Sequence, residues 1–305
     1  MDTQATDSKP KESVHTLLAE IVDYAGLFPP SQISMAEAVT NYAAYKNSNY
    51  NWMLGRFIVP TARLDEFIES AYQLITPDAE TPWRLSVLAG EDIYESVRRV
   101  DRFNTQNGSR VLCDALEVKA ATVSKIENTV NILPNYLTAY FELPIDENLA
   151  DLVSTLAIRG QRAKIRTGGL TADAFPSTAQ IIRFTRTCLA ANVPFKATAG
   201  LHHPIRCFKP LSYAPDAPYG TMHGFLNVCL AAGFARQGFK PNLLESLLED
   251  EFSESFEFSD GGVTWHRDYI LTVQQIARMR EQNVISFGSC SFDEPIDDLK
   301  EIGIL

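Results

Sequence analysis

Two short apolar segments, each with a lysine in its middle, constrain the fold of this chain more than any other feature. They are residues 161–170 (QRAKIRTGGL) and residues 193–206 (VPFKATAGLHHPIR). Between them, residues 177–191 carry apolar side chains at helical spacing. This order of strand, helix and strand predicts a parallel β-α-β unit with a right-handed crossover. Lys164 and Lys196 would then lie side by side on neighbouring strands.

The faces on which these lysines lie indicate that both have a function. Side chains alternate between the two faces of a strand, so Lys164 shares a face with Arg166. A charged lysine in the interior of a sheet is costly unless it has a partner or takes part in chemistry. Two lysines on adjacent strands favour a functional site. Ion pairing of the lysines with Glu142 or Glu117 inside the sheet is the structural alternative.

Strand-like segments alternate with helix-like segments eight times along the 305 residues. This alternation predicts an α/β fold of the (β/α)8 TIM barrel type, and a doubly wound parallel sheet is the alternative. We expect one barrel domain over residues 13–305, preceded by a disordered polar tail over residues 1–12. The predicted strands are residues 21–30, 56–60, 83–89, 111–118, 137–143, the two lysine segments and residues 284–292.

The spacing is uneven between the seventh and eighth strands, where residues 206–284 form an insertion. It starts with a proline-rich loop and contains a hairpin signal at Asp260-Gly261-Gly262. Because it leaves the seventh strand at the carboxyl end of the barrel, we interpret it as a lid whose Trp265 and His266 reach the pocket. A structural spacer is the alternative. Its helices are predicted over residues 219–236, 242–249 and 269–281.

Composition excludes several classes of partner. The net charge of −11 argues against a nucleic acid or an anionic membrane surface as the main partner. The polar start has no apolar signal segment, and no apolar run is long enough to span a membrane. The five cysteines are scattered and form no C-x-x-C motif. We therefore expect a reduced, cytoplasmic protein with free thiols, and the oligomeric state is left open.

Four motifs on the last four predicted strands occur in a familiar order. They are FEL at 141–143, KIRTG at 164–168, KATAG at 196–200 and FGSCS at 287–291. Over residues 138–206 and 284–292 the sequence resembles the deoxyribose-phosphate aldolase family, which are class I aldolases. That family has an acidic residue ending strand five, K-x-x-T-G on strand six, K-x-x-G-G on strand seven and a G-x-S-S-type phosphate loop after strand eight.

The resemblance implies a (β/α)8 barrel and a lyase without a cofactor that acts on a small carbonyl compound, with or without a phosphate group. It makes Lys164 the residue that forms a Schiff base and Lys196 its electrostatic partner. Arg166 and the His202–His203 pair depart from the family pattern, as does the long insertion. These departures leave the identity of the substrate open.

The chemistry of a Schiff base sets conditions on the surroundings of Lys164. A lysine amine attacks a carbonyl only in its neutral form, and a free lysine, with a pKa of about 10.4, is protonated at neutral pH. Burial and the charges of Arg166 and Lys196 would favour the neutral amine. We therefore expect a carboxylate to pair with Lys196 or Arg166 and to leave Lys164 unpaired. Glu142 is then either a proton shuttle or a counter-ion.

Glycine-rich and hydroxyl-rich turns follow the sixth, seventh and eighth predicted strands. Glycine lets backbone N–H groups approach an anion, and barrels often bind phosphate near strands seven and eight. We predict that these turns help to hold a small anionic substrate, and ordinary tight turns are the alternative. The predicted contact residues are Arg166, Thr167, Gly168, Gly169, Thr198, Gly200, His202, His203, Gly288 and Ser289.

The adjacent histidines provide an alternative function, a metal-dependent hydrolase or isomerase. His202 and His203 would bind the metal with Glu142 and with His223 or His266. No H-x-H or H-E-x-x-H motif is present, and neighbouring residues on an extended chain point in opposite directions. We therefore predict no metal site.

A barrel without catalytic activity is the third hypothesis. Such a protein would bind an anionic metabolite in a pocket lined by Lys164, Arg166 and Lys196. Fold analogy supports a barrel better than it supports any one reaction.

Overall fold

The predicted barrel strands close into one parallel barrel. The computed structural model describes residues 9–75 and 81–305. The strands are β1 (Val22–Tyr24), β2 (Leu54–Pro60), β3 (Trp83–Leu88), β4 (Val111–Lys119), β5 (Thr138–Glu142), β6 (Arg162–Arg166), β7 (Phe195–Thr198), β8 (Cys207–Pro210), β9 (Tyr219–Met222), β10 (Phe256–Phe258), β11 (Gly262–Trp265), β12 (Tyr269–Thr272) and β13 (Val284–Ser289). The barrel order is β1–β13–β7–β6–β5–β4–β3–β2, which confirms the (β/α)8 prediction and makes β13 the eighth barrel strand.

Helices alternate with the barrel strands and cover them. Short 3₁₀ turns at Asn51–Met53, Thr61–Arg63, Ala172–Ala174 and Ser253–Ser255 join some of the elements. The α-helices are α1 (Glu12–Leu18), α2 (Met35–Lys46), α3 (Leu64–Ala71), α4 (Ile93–Asn107), α5 (Val123–Val130), α6 (Leu149–Ile158), α7 (Thr178–Ala190), α8 (Phe225–Arg236), α9 (Pro241–Leu248), α10 (Val273–Gln282) and α11 (Asp293–Glu301). In the described part of the chain, no helix is long and apolar enough to cross a membrane.

The helix starts follow from local sequence. Ser34, the predicted N-cap of α2, accepts a hydrogen bond from the backbone N–H of Glu37 at 3.2 Å. Ser177 and Gln180 form a reciprocal capping box at the start of α7. These caps satisfy backbone donors that have no partner within the helix. They fix the point at which the chain turns away from the barrel mouth.

The insertion contains more strand than its sequence predicted. Residues 219–222 were predicted to begin a helix but form β9, which pairs with β8 across the proline-rich loop. Residues 269–272 likewise form β12, which pairs with β11. In both cases cross-strand hydrogen bonds outweigh the weak helical pattern of four residues. The predicted hairpin at Asp260-Gly261-Gly262 is confirmed, because β10 and β11 are antiparallel on either side of it.

The position of the insertion only partly matches a lid. Trp265 and His266 were predicted to reach the pocket, but both contact Asp250 instead, at 2.8 Å and 3.1 Å. Helix α8 packs against α7, α10 and β13 in the outer layer of the barrel. Tyr213, in the loop between β8 and β9, reaches Cys290 and Glu294 beside β13. Closure of the barrel mouth by residues 206–284 stays a prediction.

The domain boundary at the amino terminus is described in part. Helix α1 begins at Glu12, close to the predicted start of the folded domain. The remainder of the predicted tail, residues 1–8, lies outside the described residues.

Two glycines allow β6 and β7 to converge at the barrel mouth. A Cβ atom on Gly200 would lie 2.8 Å from the Cα atom of Gly168 and 2.8 Å from the ring of Phe175. Gly200 also has a φ of +75°, a conformation that residues with a side chain rarely adopt. Both glycines are therefore needed for the shape of the mouth.

The first prediction compares two glycines that share a positive φ but differ in their surroundings. Gly160 has a φ of +62° with nothing within 4 Å of a built Cβ atom, whereas Gly200 has the close contacts described above. Gly160→Ala should cost about 1–2 kcal/mol, since only the left-handed conformation is strained. Gly200→Ala should cost clearly more in urea unfolding. Equal costs in the two variants would show that the approach of Gly168 and Gly200 is not tight.

Candidate active site

A cavity of about 890 Å³ opens at the carboxyl ends of the barrel strands. A volume of this size suits a small molecule, and this end of the barrel is where active sites of the fold lie. Eight of the residues predicted from the sequence line it: Glu142, Lys164, Arg166, Gly169, Thr198, Gly200, His202 and Gly288.

The other five predicted residues do not line the cavity, although they lie around it. Thr167 is buried, and its Oγ1 donates to the carbonyl of Ala199 at 2.6 Å, so it holds the β6 and β7 turns together. Ser289 is buried at the end of β13. Gly168 packs closely against Gly200. Lys196 and His203 pair with carboxylates, as described below. Direct contact of these five residues with a ligand stays a prediction.

Lys196 is the deepest charged group of the site. Its side chain is 1% exposed, and its Nζ donates to Asp23 Oδ2 at 2.6 Å and to Glu117 Oε1 at 2.7 Å. The ring of Tyr140 lies 5.3 Å from the same Nζ. Burial lowers the pKa of Lys196, but the charges of Asp23 and Glu117 outweigh burial and raise the pKa above its usual range.

Lys164 contacts two carboxylates rather than none. Its Nζ donates to Glu117 Oε2 at 2.6 Å and lies 2.9 Å from Glu142 Oε2. The expectation that Lys164 would be the unpaired cation of the site is therefore wrong. Register explains this result, because Glu142 on β5 is the direct Cα partner of Lys164 on β6, and Glu117 projects into the barrel from β4. The pairing of Lys164 with Glu117 and Glu142 that the sequence offered as an alternative is the one present.

Glu117 joins the two lysines into one network. Burial raises its pKa, but Lys164 and Lys196 outweigh burial and hold the pKa of Glu117 well below its usual range. Ser86 completes its partners with a hydrogen bond to Oε1 at 2.7 Å. On the far side, Ser286 donates to Asp23 Oδ2 at 2.7 Å. Every carboxylate oxygen facing these lysines has a partner, as a buried polar network requires.

Glu142 links this network to the open cavity. Its side chain is partly exposed, and its Oε1 lies 3.6 Å from Arg166 Nε. Burial raises the pKa of Glu142, but Lys164 and then Arg166 lower it below its ordinary value. Glu142 is therefore held as a carboxylate, which is the charge state of a counter-ion and of a general base.

The mouth of the cavity carries positive charge. Lys119, Lys125 and Arg166 all line it, and the Arg166 side chain is 51% exposed. Glu91 also lines the cavity. Exposed cations at the rim attract anions and are flexible enough to adapt to them.

A second group of polar side chains lies on another wall of the cavity. Cys290 follows β13 and His202 follows β7, and both line the cavity. His202 Nδ1 lies 3.7 Å from Cys290 Sγ and 3.4 Å from Glu294 Oε2. Tyr213 donates a hydrogen bond to Glu294 Oε2 at 3.0 Å and lies 3.8 Å from Cys290 Sγ.

Charges in this group are coupled. Burial lowers the pKa of His202, but its contacts with Cys290 and Glu294 outweigh burial and raise the pKa from 6.5 to about 9. Burial raises the pKa of Cys290, but the hydrogen bond and charge of His202 hold it below its ordinary value. His202 therefore favours its protonated form, and this form favours a thiolate at Cys290.

The other histidines are dispersed. His203 Nδ1 pairs with Asp298 Oδ2 at 2.5 Å, and His223 Nε2 lies 2.7 Å from the carbonyl oxygen of Pro176. Among the described residues, no group of three or more His, Cys, Asp or Glu side chains is arranged to hold a metal ion. The metal-dependent alternative, which required His202 and His203 to meet Glu142 and a further histidine, gains no support from this geometry.

Sequence reasoning missed three members of the site. Asp23 was not among the predicted site residues, although a lone acid in the apolar strand IVDYA was a usable signal. Cys290 appeared only within the FGSCS motif, and Glu294 was not singled out. The importance of Cys290 and Glu294 depends on His202. This histidine is 88 residues from Cys290 along the chain and meets it because β13 and β7 are neighbours.

Comparison of the sequence with family models and with curated proteins found no relative. No family model matches the chain, and no curated protein matches it significantly. The resemblance to deoxyribose-phosphate aldolases therefore depends on the four motifs and their order, and it stays a prediction.

The second prediction concerns the pH dependence of stability from Glu117. Because the pKa of Glu117 is depressed in the folded state, its contribution is full above the unfolded value of about 4.3 and declines as the pH falls below it. Glu117→Gln should lower the free energy of unfolding by about 3–5 kcal/mol at neutral pH. The difference from the wild type should shrink by about 1.4 kcal/mol per pH unit below about pH 4.

Urea unfolding between neutral pH and about pH 3 measures this difference, with Glu66→Gln as the control. Glu66 also has a lowered pKa from an arginine, Arg63, but the pair lies on the surface. The control should change stability little at any pH. A gap between wild type and Glu117→Gln that stays constant down to about pH 3 would contradict the role of Glu117.

Proposed function

We propose that this protein is a lyase of the class I aldolase type, which binds a small carbonyl compound as a Schiff base on Lys164. One observation carries the proposal. Lys164 is a buried lysine that lines a cavity of small-molecule size while touching two carboxylates, Glu117 and Glu142. A primary amine, a base and a carbonyl-sized space then lie together.

Glu142 is the residue that activates Lys164. It is held as a carboxylate 2.9 Å from the Lys164 ammonium and also lines the cavity. When a carbonyl compound enters, the ammonium gives its proton to Glu142, and the amine attacks the carbonyl carbon. The carbinolamine oxygen then takes a proton from Glu142 and leaves as water, which forms the imine and returns Glu142 to its carboxylate form.

The free energy of this proton transfer is smaller than the activation barrier of a typical enzyme. Moving a proton from a free lysine to a free glutamate costs about 8 kcal/mol, from pKa values of about 10.4 and 4.3. A turnover of about 10 per second corresponds to a total barrier of about 16 kcal/mol. The lowered pKa of Glu142 adds to this cost, so less than half of such a barrier is left for bond formation.

Lys196 and Glu117 position the reacting groups. Lys196 is enclosed by Asp23 and Glu117 and does not line the cavity, so in this proposal it acts through Glu117. The charge of Lys196 keeps Glu117 ionised. Glu117 in turn holds Lys164 Nζ in place by accepting its hydrogen bond. Lys119, Lys125 and Arg166 at the mouth suit a substrate with a carboxylate or phosphate group.

The third prediction is a covalent adduct on Lys164. The protein is incubated with acetaldehyde, pyruvate, dihydroxyacetone and dihydroxyacetone phosphate, and is then reduced with borohydride. Peptide mass spectrometry should find Lys164 heavier by the carbonyl compound less one oxygen atom. Lys164→Ala should abolish the adduct, whereas Lys119→Ala, which removes an exposed lysine of the same cavity, should retain it.

The rate of trapping tests the role of Glu142. Glu142→Gln should slow adduct formation by about 100-fold, the usual effect of losing a general base. Circular dichroism checks that each variant is folded. A wild-type protein that binds a panel member by calorimetry but leaves no adduct on Lys164 would overturn the lyase proposal.

That outcome would favour the second candidate, a barrel that binds an anionic metabolite without reaction. The complete ion pairing of Lys164 is the specific observation in its favour, since paired lysines also occur as structural groups.

A further inference from the structure

We propose that Cys290 and His202 form a second nucleophilic site on the wall of the cavity, where an aldehyde is bound covalently and reversibly as a hemithioacetal. This site is separate from the Schiff-base chemistry of Lys164 and does not depend on it.

Geometry supplies both groups that the addition needs. Cys290 Sγ is the nucleophile, and His202 Nδ1, at 3.7 Å, is the proton donor. Glu294 Oε2 lies 3.4 Å from the same Nδ1 and fixes the orientation of the ring. Both Cys290 and His202 line the 890 Å³ cavity, so a ligand in the cavity reaches the sulfur without passing through the protein interior.

Other titratable groups lie around the pair, and one of them, Tyr213, forms a hydrogen bond that favours the thiolate. Tyr213 directs its hydroxyl toward Cys290 and Glu294, and Tyr24 on β1 lies close enough to Cys290 to interact electrostatically. His203 lies next to His202 and contributes positive potential at Glu294. Burial and the adjacent negative charges raise the pKa of Tyr213, so its hydroxyl stays protonated and available as a donor.

The reaction is balanced by these two residues alone. The Cys290 thiolate attacks the carbonyl carbon of an aldehyde, a sulfur–carbon bond forms, and the π pair of the carbonyl moves to its oxygen. That oxygen takes the proton from His202 Nδ1, which leaves a neutral imidazole and a hemithioacetal. No leaving group, oxidant or water is required. An aldehyde is therefore a better match to this pair than an ester or thioester, whose turnover needs a leaving group and a second attack.

Contrast with the other cysteines supports a special role for Cys290. Cys113, Cys188 and Cys229 are buried, and burial raises the pKa of each of them. Cys207 is more accessible than Cys290, but burial raises its pKa to about 11. Among the five thiols, Cys290 is the one whose pKa is lowered. Cys207 therefore serves as an internal control, because it is more accessible than Cys290 but has a raised pKa.

The fourth prediction is that Cys290 reacts first with iodoacetamide despite its burial. Peptide mass spectrometry over a series of pH values should show half-maximal rate at Cys290 at a pH below that at Cys207, with Cys207 labelled more slowly. His202→Gln should move the Cys290 profile upward by about 1–3 pH units, because a nearby positive charge is lost. His203→Gln is the matched control: it removes the adjacent histidine, which pairs with Asp298, and should leave the profile in place.

Labelling of the wild-type protein already tests whether Cys290 is the reactive thiolate. Labelling of Cys207 before Cys290, or an unchanged profile in a folded His202→Gln, overturns the proposal. If His202→Gln does not fold, His202→Asn replaces it, since it removes the same positive charge and should also move the profile upward.

The hemithioacetal is tested with acetaldehyde labelled with carbon-13 at its carbonyl. Nuclear magnetic resonance of the wild-type protein should show a protein-bound carbon attached to both oxygen and sulfur, and Cys290→Ser should lose this signal. Lys164→Met, which cannot form an imine, should retain the signal, so that failure of this site and failure of the Schiff-base site are distinguishable. Absence of the signal in the wild type at saturating acetaldehyde, or its persistence in Cys290→Ser, overturns the proposal.

Discussion

The carboxylate of Glu117, held between two buried lysines, is the interaction on which the rest of the site depends. Its two oxygens accept hydrogen bonds from Lys164 and Lys196 at 2.6 Å and 2.7 Å. Removing these charges from water costs several kcal/mol for each ion, and only close pairing offsets this cost. Loss of Glu117 would leave each buried lysine with one carboxylate in place of two, Asp23 for Lys196 and Glu142 for Lys164. A closed barrel can contain such a layer because all strands contribute side chains to one small volume.

The network has a depth gradient that separates structural groups from reactive ones. At the bottom, Asp23 and Lys196 are each 1% exposed and are satisfied by protein groups. At the top, Glu142 is more accessible and touches both Lys164 and the cavity. A ligand therefore meets the upper part of a network whose lower part is already fixed. This arrangement limits the reorganisation that charge development in the cavity would require.

The cavity combines two kinds of nucleophile on different walls. The amine of Lys164 lies among carboxylates from β4 and β5, whereas the thiol of Cys290 lies beside an imidazole from the β7 end. Two carboxylates pair with the Lys164 side chain, whereas a protonated His202 favours an ionised thiol at Cys290. The basic side chains of Lys119, Lys125 and Arg166 line the same cavity as both groups.

Sequence alone determined the strand-helix alternation, the barrel and the faces on which Lys164 and Lys196 lie, because these follow from periods of two and 3.6 residues. The sequence also offered Glu117 and Glu142 as ion-pair partners of the lysines. Only the tertiary structure decided which anion meets which cation: Asp23 reaches Lys196 across 173 residues because β1 and β13 close the barrel. The alternation of side chains along a strand fixes the face on which a residue lies but not its distance from other side chains. Strand stagger and rotamers set contacts of 2.6 Å. For the same reason, the pairing of Cys290 with His202 was decided by the adjacency of β13 and β7, which the local pattern of neither segment contains.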